Sequence, residues 1–514
     1  MAVVHSEYSE SAVLTALRTL LSYWPIVLLL VLVARFLYYK YASPLRHYPG
    51  PLLASGSRLW KVWSTWSGHT ETDHIRIHEV YATENIGPIV RIAPNELSLS
   101  SPHAAREVLA AGKGFHKTDF YGVFPPPENP DIFTETREAV HAVKKRYASN
   151  PYSMATMHTM TDYIEDTERL FMQKLDGMCQ TKDQYCDLGS YLHYYAFDVL
   201  GEIAFSRRFG FLEAGYDLEK AIKTIDDMQW YDGIVGQIPE WDFAFRRNPL
   251  WKCVPSWLLT GNFLITRMAL EEMDKRKKLG KQLDRRDLMA SLFEAHEKAP
   301  QNFTEGDVFA VAHGAIFAGS DSTASTMQSF SWHVLRDPEV YAKLKQELDE
   351  ATAGGKLSAM PQWNEVQALP YFQACLKEAM RVRPAVGLNI TRHVPQEGAE
   401  IDGHRLPGGT RVALNGWVLH RNKLFGHDPE VYRPERWIEG DAKMMERYMF
   451  QFGGGSHLCI GKNLALLEMN KTLPLLFRDY NFELLRPNEE LKYHSTFFVV
   501  HEGLEVRISK RKVD

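Results

Sequence analysis

The longest run of apolar positions lies near the start of the chain. Thr19 to Ala34 contains no charged residue, and continuing to Tyr39 gives about 20 residues, enough for one bilayer crossing. Tyr23 and Trp24 stand at one end and Tyr38, Tyr39 and Tyr41 at the other, as interfacial aromatics do, and Arg35 has the length to snorkel. Pro44, Pro49 and Pro51 then break the helix and read as a semi-rigid hinge. Beyond Pro51 the pattern is mostly helical with short strand-like pieces. Ile89–Ile92 and Glu96–Leu99 read as an early pair of strands, and Leu406–Val412 as a turn entering a strand. Thr304-Glu305-Gly306-Asp307 is close to a capping box. The positions after it are apolar or small nearly all round from Val308 to Ser320, His313 apart, so a buried helix is expected. It would run to Arg336, where Asp337-Pro338 stops it: about 30 residues, or roughly 45 Å. Leu369–Arg381 predicts a further helix, ended by Pro384. The expected fold is mainly α, α-rich with small β-sheets. Residues 1–41 hold a transmembrane anchor (about 19–39), 42–51 the hinge, and 52–514 a single domain.

Composition adds limits. A formal charge of −5 gives no electrostatic case for nucleic acid. The cysteines are Cys179, Cys186, Cys253, Cys375 and Cys459, an odd number with no CxxC pair, which argues for a reducing compartment and against a disulfide framework or structural zinc. Glu7 and Glu10 precede the apolar run while Arg35, Lys40 and Arg46 follow it, so the positive-inside rule puts the large domain in the cytoplasm. A cleaved signal peptide is the alternative, but no Ala-x-Ala-like site follows the run. With the cytoplasmic topology, the glycosylation patterns at Asn302 and Asn389 are accidental. The basic stretch Lys275–Arg286 reads as a solvated connection between helices.

The richest chemistry lies at Cys459, within Phe452-Gly453-Gly454-Gly455-Ser456-His457-Leu458-Cys459-Ile460-Gly461. The glycine run allows close approach of the backbone to a flat object. Lys462–Met469 is helix-forming, so Cys459 stands at a helix N-terminus, where an anion is favoured. A lone cysteine is more often structural. Here the spacing Phe-x-x-Gly-x-x-x-Cys-x-Gly, carried by Phe452, Gly455, Cys459 and Gly461, resembles the haem-binding loop of the cytochrome P-450 superfamily. Three further motifs follow the same family. Ala318-Gly319-Ser320-Asp321-Ser322-Thr323 resembles the pattern on the helix that crosses the oxygen side of haem, Glu378-x-x-Arg381 its charged pair, and Arg436 the third member of that cluster. Read locally, the first is a polar kink or a proton-relay candidate, and the second a surface ion pair worth little.

The resemblance implies a P-450 fold with haem b, Cys459 as the axial ligand of its iron, and Glu378, Arg381 and Arg436 locking the core. A superfamily domain is about this large, which settles the single domain. Asp321 and Ser322 become the acid–alcohol pair that protonates dioxygen. Ser322 stands where Thr is usual, so Thr323 is kept as a third member. Arg392, His141, Lys145 and His457 are expected at the haem propionates. The last three depart from the family's Trp and Arg, which matters because His lacks the bidentate fork of Arg. Phe120, Phe124, Phe309, His313, Val386, Leu388, Phe497 and Phe498 are expected over the haem, in an apolar, fairly bulky substrate pocket; plain core packing is the alternative. The flanks Gly461-Lys462-Asn463, Glu468–Lys471 and Gly122–Pro127 resemble the fungal, microsomal, pisatin-demethylase-like group.

The implied activity is a monooxygenase of secondary-metabolite biosynthesis in the endoplasmic reticulum membrane, a single-pass protein with its catalytic domain facing the cytoplasm. Electrons would come from an NADPH-dependent flavoprotein reductase, since the chain lacks a dinucleotide fingerprint. The rivals are an oxygen-independent haem-thiolate isomerase or dehydratase, which would not need Asp321 and Ser322, and a membrane-anchored haem sensor.

Overall fold

A computed structural model describes residues 22–82, 87–124, 129–248, 250, 264–279 and 287–511. Glu7, Glu10, residues 19–21, Pro125–Pro127, Cys253 and residues 280–286 of the basic stretch lie outside the described residues. Helix α1, Ser22–Ala42, is long and apolar enough to cross a membrane, and its side chains are mostly exposed. The proline segment after it is packed against the first strand. Leu45 is buried, and the Arg91 N–H donates to the Pro49 carbonyl at 2.7 Å. Gly50 permits this, because a Cβ there would sit 2.0 Å from the Arg91 carbonyl oxygen.

Short helices α2 (Leu59–Trp66) and α3 (Thr70–Tyr81) lead to β1 (Ile89–Ala93) and β2 (Glu96–Leu99), the early pair of strands expected from the sequence, which pair antiparallel. They form a five-stranded sheet with β3 (His116–Lys117), β4 (Ile390–His393) and β5 (Arg411–Leu414), in the order β1-β2-β5-β4-β3. The rest is chiefly helical. The elements that shape the site are α4 (Glu138–Ala148), α5 (Leu188–Phe205), α6 (Ala221–Val235), α7 (Glu305–Gly319), α8 (Asp321–Arg336), α9 (Pro370–Val382) and α10 (Lys462–Asp479). A hairpin of β6 (Lys492–Ser495) and β7 (Val499–Glu502) closes the C-terminal part. The largest apolar core joins α5, α7, α8, α9 and α10.

The single long helix expected from Thr304 is two helices. Its capping box forms: the Thr304 Oγ1 accepts from the Asp307 N–H, and the Asp307 carboxylate accepts from the Thr304 N–H. Regular helix is interrupted at Ser320. Two hydroxyls just past the break bond back across it. Ser322 Oγ donates to the Ala318 carbonyl at 3.1 Å and Thr323 Oγ1 to the Gly319 carbonyl at 3.2 Å, and such back-bonding competes with the helix ladder and bends it.

Candidate active site

The cysteine loop is shaped by its own backbone. The Cys459 N–H donates to the Phe452 carbonyl at 2.9 Å and closes the loop. Gly453 and Gly455 have φ of +71° and +57°, and a Cβ on Gly455 would lie 1.8 Å from the Leu109 carbonyl oxygen, so only glycine fits there. Cys459 is exposed, and α10 begins three residues later. Although the residue's surface is open, the protein packed closely around the sulfur takes away solvation and pushes the thiol up, while the Gly461 and Lys462 N–H groups and the Lys145 ammonium pull the other way. Ala318, next to last in α7, is exposed although Ile316 and Phe317 before it and Ser320 after it are buried.

Basic groups from three elements converge beside the loop, which itself carries His457. Arg392 of β4 is buried and donates to the Tyr121 hydroxyl and the Thr391 carbonyl, both at 2.8 Å. His141 of α4 packs its ring 4.3 Å from that of His457. Lys145 of α4 is placed on the loop itself, donating to the Ser456 and Leu458 carbonyls at 2.7 Å. Lys117 of β3, which the sequence did not single out, is buried and donates to the Ile132 and Phe133 carbonyls at 2.8 Å. Burial pushes Lys117 down to about 7, with Arg392 adding to the effect. Burial, then Lys117 and neighbouring cations, lower His141 to about 3 and His457 to about 2. His141 Nε2 and His457 Nδ1 are buried without a hydrogen-bond partner. Glu138, His141 and His457 bring ligand atoms within 4.8 Å of one another, but the cations around them oppose a metal ion. Cations such as Arg392 and Lys145, together with the unfilled hydrogen-bonding capacity of His141 and His457, fit a bound anion, and the two carboxylates of haem are of that kind.

Glu378 and Arg381 form no surface pair: both side chains are fully buried. Glu378 accepts two bonds from Arg381, one from Arg436 Nε and one from Trp437 Nε1, all at 2.8 Å. The default of a weak exposed ion pair fails because α9 turns this face into the core, as its apolar neighbours Phe372, Leu376 and Met380 require.

Asp321 is buried at the head of α8. His193 of α5 donates from Nε2 to Oδ1 at 2.8 Å, and Gln229 of α6 donates from Nε2 to Oδ2 at 2.9 Å. Neither partner was singled out in the sequence. No hydrogen bond joins Asp321 to Ser322, whose hydroxyl is turned onto the Ala318 carbonyl.

The expected pocket residues divide into two groups. Phe120, Phe124, Phe497 and Phe498 form one aromatic cluster. Phe124 lies 5.3 Å from both Phe120 and Phe497, and Phe498 lies 5.0 Å from Phe497. Phe133 and Phe317 join it at 5.2 Å from Phe497 and 6.4 Å from Phe124; sequence reading missed both. Val386 bridges to Phe498, and Leu388 is buried beside Gly233. Phe309 and His313 instead pack on each other at 5.8 Å, with Thr266 Oγ1 3.4 Å from His313 Nε2, and no ring contact ties either to the phenylalanine cluster.

The family model described as Cytochrome P-450 matches residues 55–506. The cytochrome P-450 monooxygenase cicH of Emericella nidulans is 33% identical over 483 residues, covering 92% of this chain and 95% of that protein. The cytochrome P-450 monooxygenase gsfF of Penicillium aethiopicum is 32% identical, covering 93% and 96%. Pisatin demethylase of Fusarium vanettenii is 30% identical, covering 94% and 92%. With a glycine-shaped cysteine loop, a cluster of basic residues beside it and matches over nearly the whole chain, the protein belongs to the cytochrome P-450 family, whose members bind haem b through a cysteine thiolate.

Proposed function

We propose that this protein is a membrane-attached monooxygenase that inserts one atom of dioxygen into an apolar, fairly bulky molecule, in a hydroxylation or oxidation step of fungal secondary metabolism. The observation that carries the reading is the exposed Cys459 on its closed loop beside Lys117, His141, Lys145, Arg392 and His457. Cys459 would bind the haem iron. Arg392, His141 and His457 would receive the propionates, with Lys145 fixing the loop. Thiolate ligation supplies electron density that favours O–O cleavage. On the other side Asp321 would carry protons from His193 towards the Ser322 and Thr323 hydroxyls. The phenylalanine cluster would hold the substrate and exclude water. Glu378, Arg381 and Arg436 act on the structure alone.

Two electrons would arrive from an NADPH-dependent flavoprotein reductase. Helix α1 would anchor the chain in the endoplasmic reticulum, with residues 52–514 as one catalytic domain facing the cytoplasm. Exposed Leu52, Leu53, Trp63 and Trp66, on the short helices that follow α1, favour contact with the same bilayer. The relatives named monooxygenases and a demethylase support the reaction class.

The test is spectroscopic. The reduced protein with carbon monoxide is expected to show the strongly red-shifted Soret band of thiolate haem, and Cys459→Ser to lose it. A variant that keeps the band would remove Cys459 as the ligand.

A further inference from the structure

Gln229 is completely buried and has two partners of opposite kind. Its amide nitrogen donates to Asp321 Oδ2 at 2.9 Å, while its amide oxygen accepts the backbone N–H of Phe498 at 2.8 Å. A carboxylate needs a donor and a backbone N–H needs an acceptor; Glu, Lys and Leu each fail at least one of the two. The contact is reinforced one helical turn later. Gly233 lets the Thr496 carbonyl approach so closely that a Cβ would sit 2.2 Å from its oxygen. Helix α6 therefore docks at two points on residues 495–499, the turn between β6 and β7. That turn is held on its other side by Gly387 N–H on the Phe497 carbonyl at 2.9 Å and by Val499 N–H on the Ala385 carbonyl at 2.8 Å. It also carries Phe497 into the aromatic cluster.

We propose that Gln229 is a positioning residue that links occupation of the aromatic chamber to the freedom of the Asp321 carboxylate to turn. This deepens, and rests on, the relay role proposed for Asp321. Both oxygens of Asp321 are engaged, one by α5 and one by α6, and neither meets Ser322. To pass a proton towards the Ser322 hydroxyl the carboxylate must rotate, which breaks its bond to Gln229. A molecule that displaces Phe497 and Phe498 moves the turn that holds the amide oxygen. An amide losing that partner rotates and releases Oδ2. With the chamber empty the Gln229 bond keeps Oδ2 from turning, while His193 and the Ser320 hydroxyl at 3.4 Å hold Oδ1, so protons are withheld until a substrate is present.

The experiment is hydrogen–deuterium exchange on the full-length haem-loaded enzyme, with and without clotrimazole, a bulky apolar azole. In the wild-type protein clotrimazole is expected to alter exchange in residues 495–499 and also in 318–324. In Gln229→Leu the first response remains and the second is lost. Gln229→Met has no donor for Asp321 and only a weak sulfur acceptor for Phe498; it is expected to behave like Gln229→Leu and serves if that variant folds poorly. An unchanged response at 318–324 in both variants, or none there in the wild type, overturns the proposal. With a reductase supplied, both variants are expected to oxidise more NADPH in the absence of substrate, its two electrons and two protons reducing dioxygen to hydrogen peroxide. If exchange shows the link but Asp321→Ala leaves peroxide release unchanged, the relay reading falls and the mechanical link stands.

Discussion

The cysteine side and the oxygen-helix side of this molecule are held by opposite means. On the cysteine side Arg381 spends its donors on both Glu378 oxygens and on the His420, Pro429 and Val431 carbonyls, all within 3.0 Å. Arg436 does the same with Glu378, Asp428 and three carbonyls. Directional bonds between charged groups admit one geometry. On the other side, aromatic rings meet edge to face at centroid distances of 5.0–6.4 Å, an arrangement that tolerates changes of shape. On the proposed reading the cysteine loop would hold still, whereas the aromatic chamber would receive a guest and let an acid turn. Fixed charge serves the first need and apolar packing the second.

The comparison breaks most severely at Arg381. Arg381→Ala leaves Glu378 as a buried carboxylate short of donors, and losing one partner of a buried pair costs about 3–5 kcal/mol. The expected result is a protein that incorporates little haem and melts early, measured by Soret absorbance per polypeptide and by thermal unfolding. Normal haem content would mean that the cluster does not hold the loop.

On the chamber side, Asp321→Ala should leave folding and haem content nearly intact, because Gln229 is an uncharged amide and an imidazole such as that of His193 can either donate or accept a hydrogen bond. The effect belongs to chemistry instead. Loss of a positioned acid typically costs about 10²-fold or more in a proton-transfer step, so product formed per NADPH should collapse and peroxide rise. Unchanged coupling would take Asp321 out of the relay. The pair of variants thus separates a side that fails by unfolding from a side that fails by leaking electrons.

That division also marks what could be read from the chain. The cysteine loop, the capping box at Thr304 and the Glu378–Arg381 spacing are local patterns, because glycine φ angles, helix caps and i,i+3 pairs are set within a few residues. The early strand pair and the turn before Arg411 were legible for the same reason. His193 and Gln229 were not, since they meet Asp321 from 128 and 92 residues away on helices with no motif of their own. Lys117 lies on a two-residue strand and reaches the site only through sheet pairing with Arg392. Phe133 and Phe317 look like any core aromatic until the fold sets them against Phe497 and Phe124. The break at Ser320 was half legible: the hydroxyls announce a kink, but only the competing bonds to Ala318 and Gly319 locate it.

His420 sharpens the comparison by pH. It joins the two devices of the cysteine side: its carbonyl accepts from Arg381, and its Nε2 accepts the Phe450 N–H at 2.8 Å, just before the ligand loop. Accepting that bond requires the neutral ring. Burial, then the Arg381 charge, depress His420 to about 3. An unfolded histidine titrates near 6.5, so between those values the unfolded chain binds the extra proton. The stability contributed by neutral His420 is therefore complete above about pH 6.5 and is lost as pH falls towards the folded value, at up to about 1.4 kcal/mol per unit. His420→Gln keeps an acceptor for Phe450 and removes the titration. Denaturant unfolding between pH 6.5 and 4 should show a shallower acid limb in that variant, by about that slope. Parallel limbs in the two proteins would mean that the proton is taken up elsewhere, and that the cysteine side owes its acid sensitivity to His141 and His457 in the basic cluster instead.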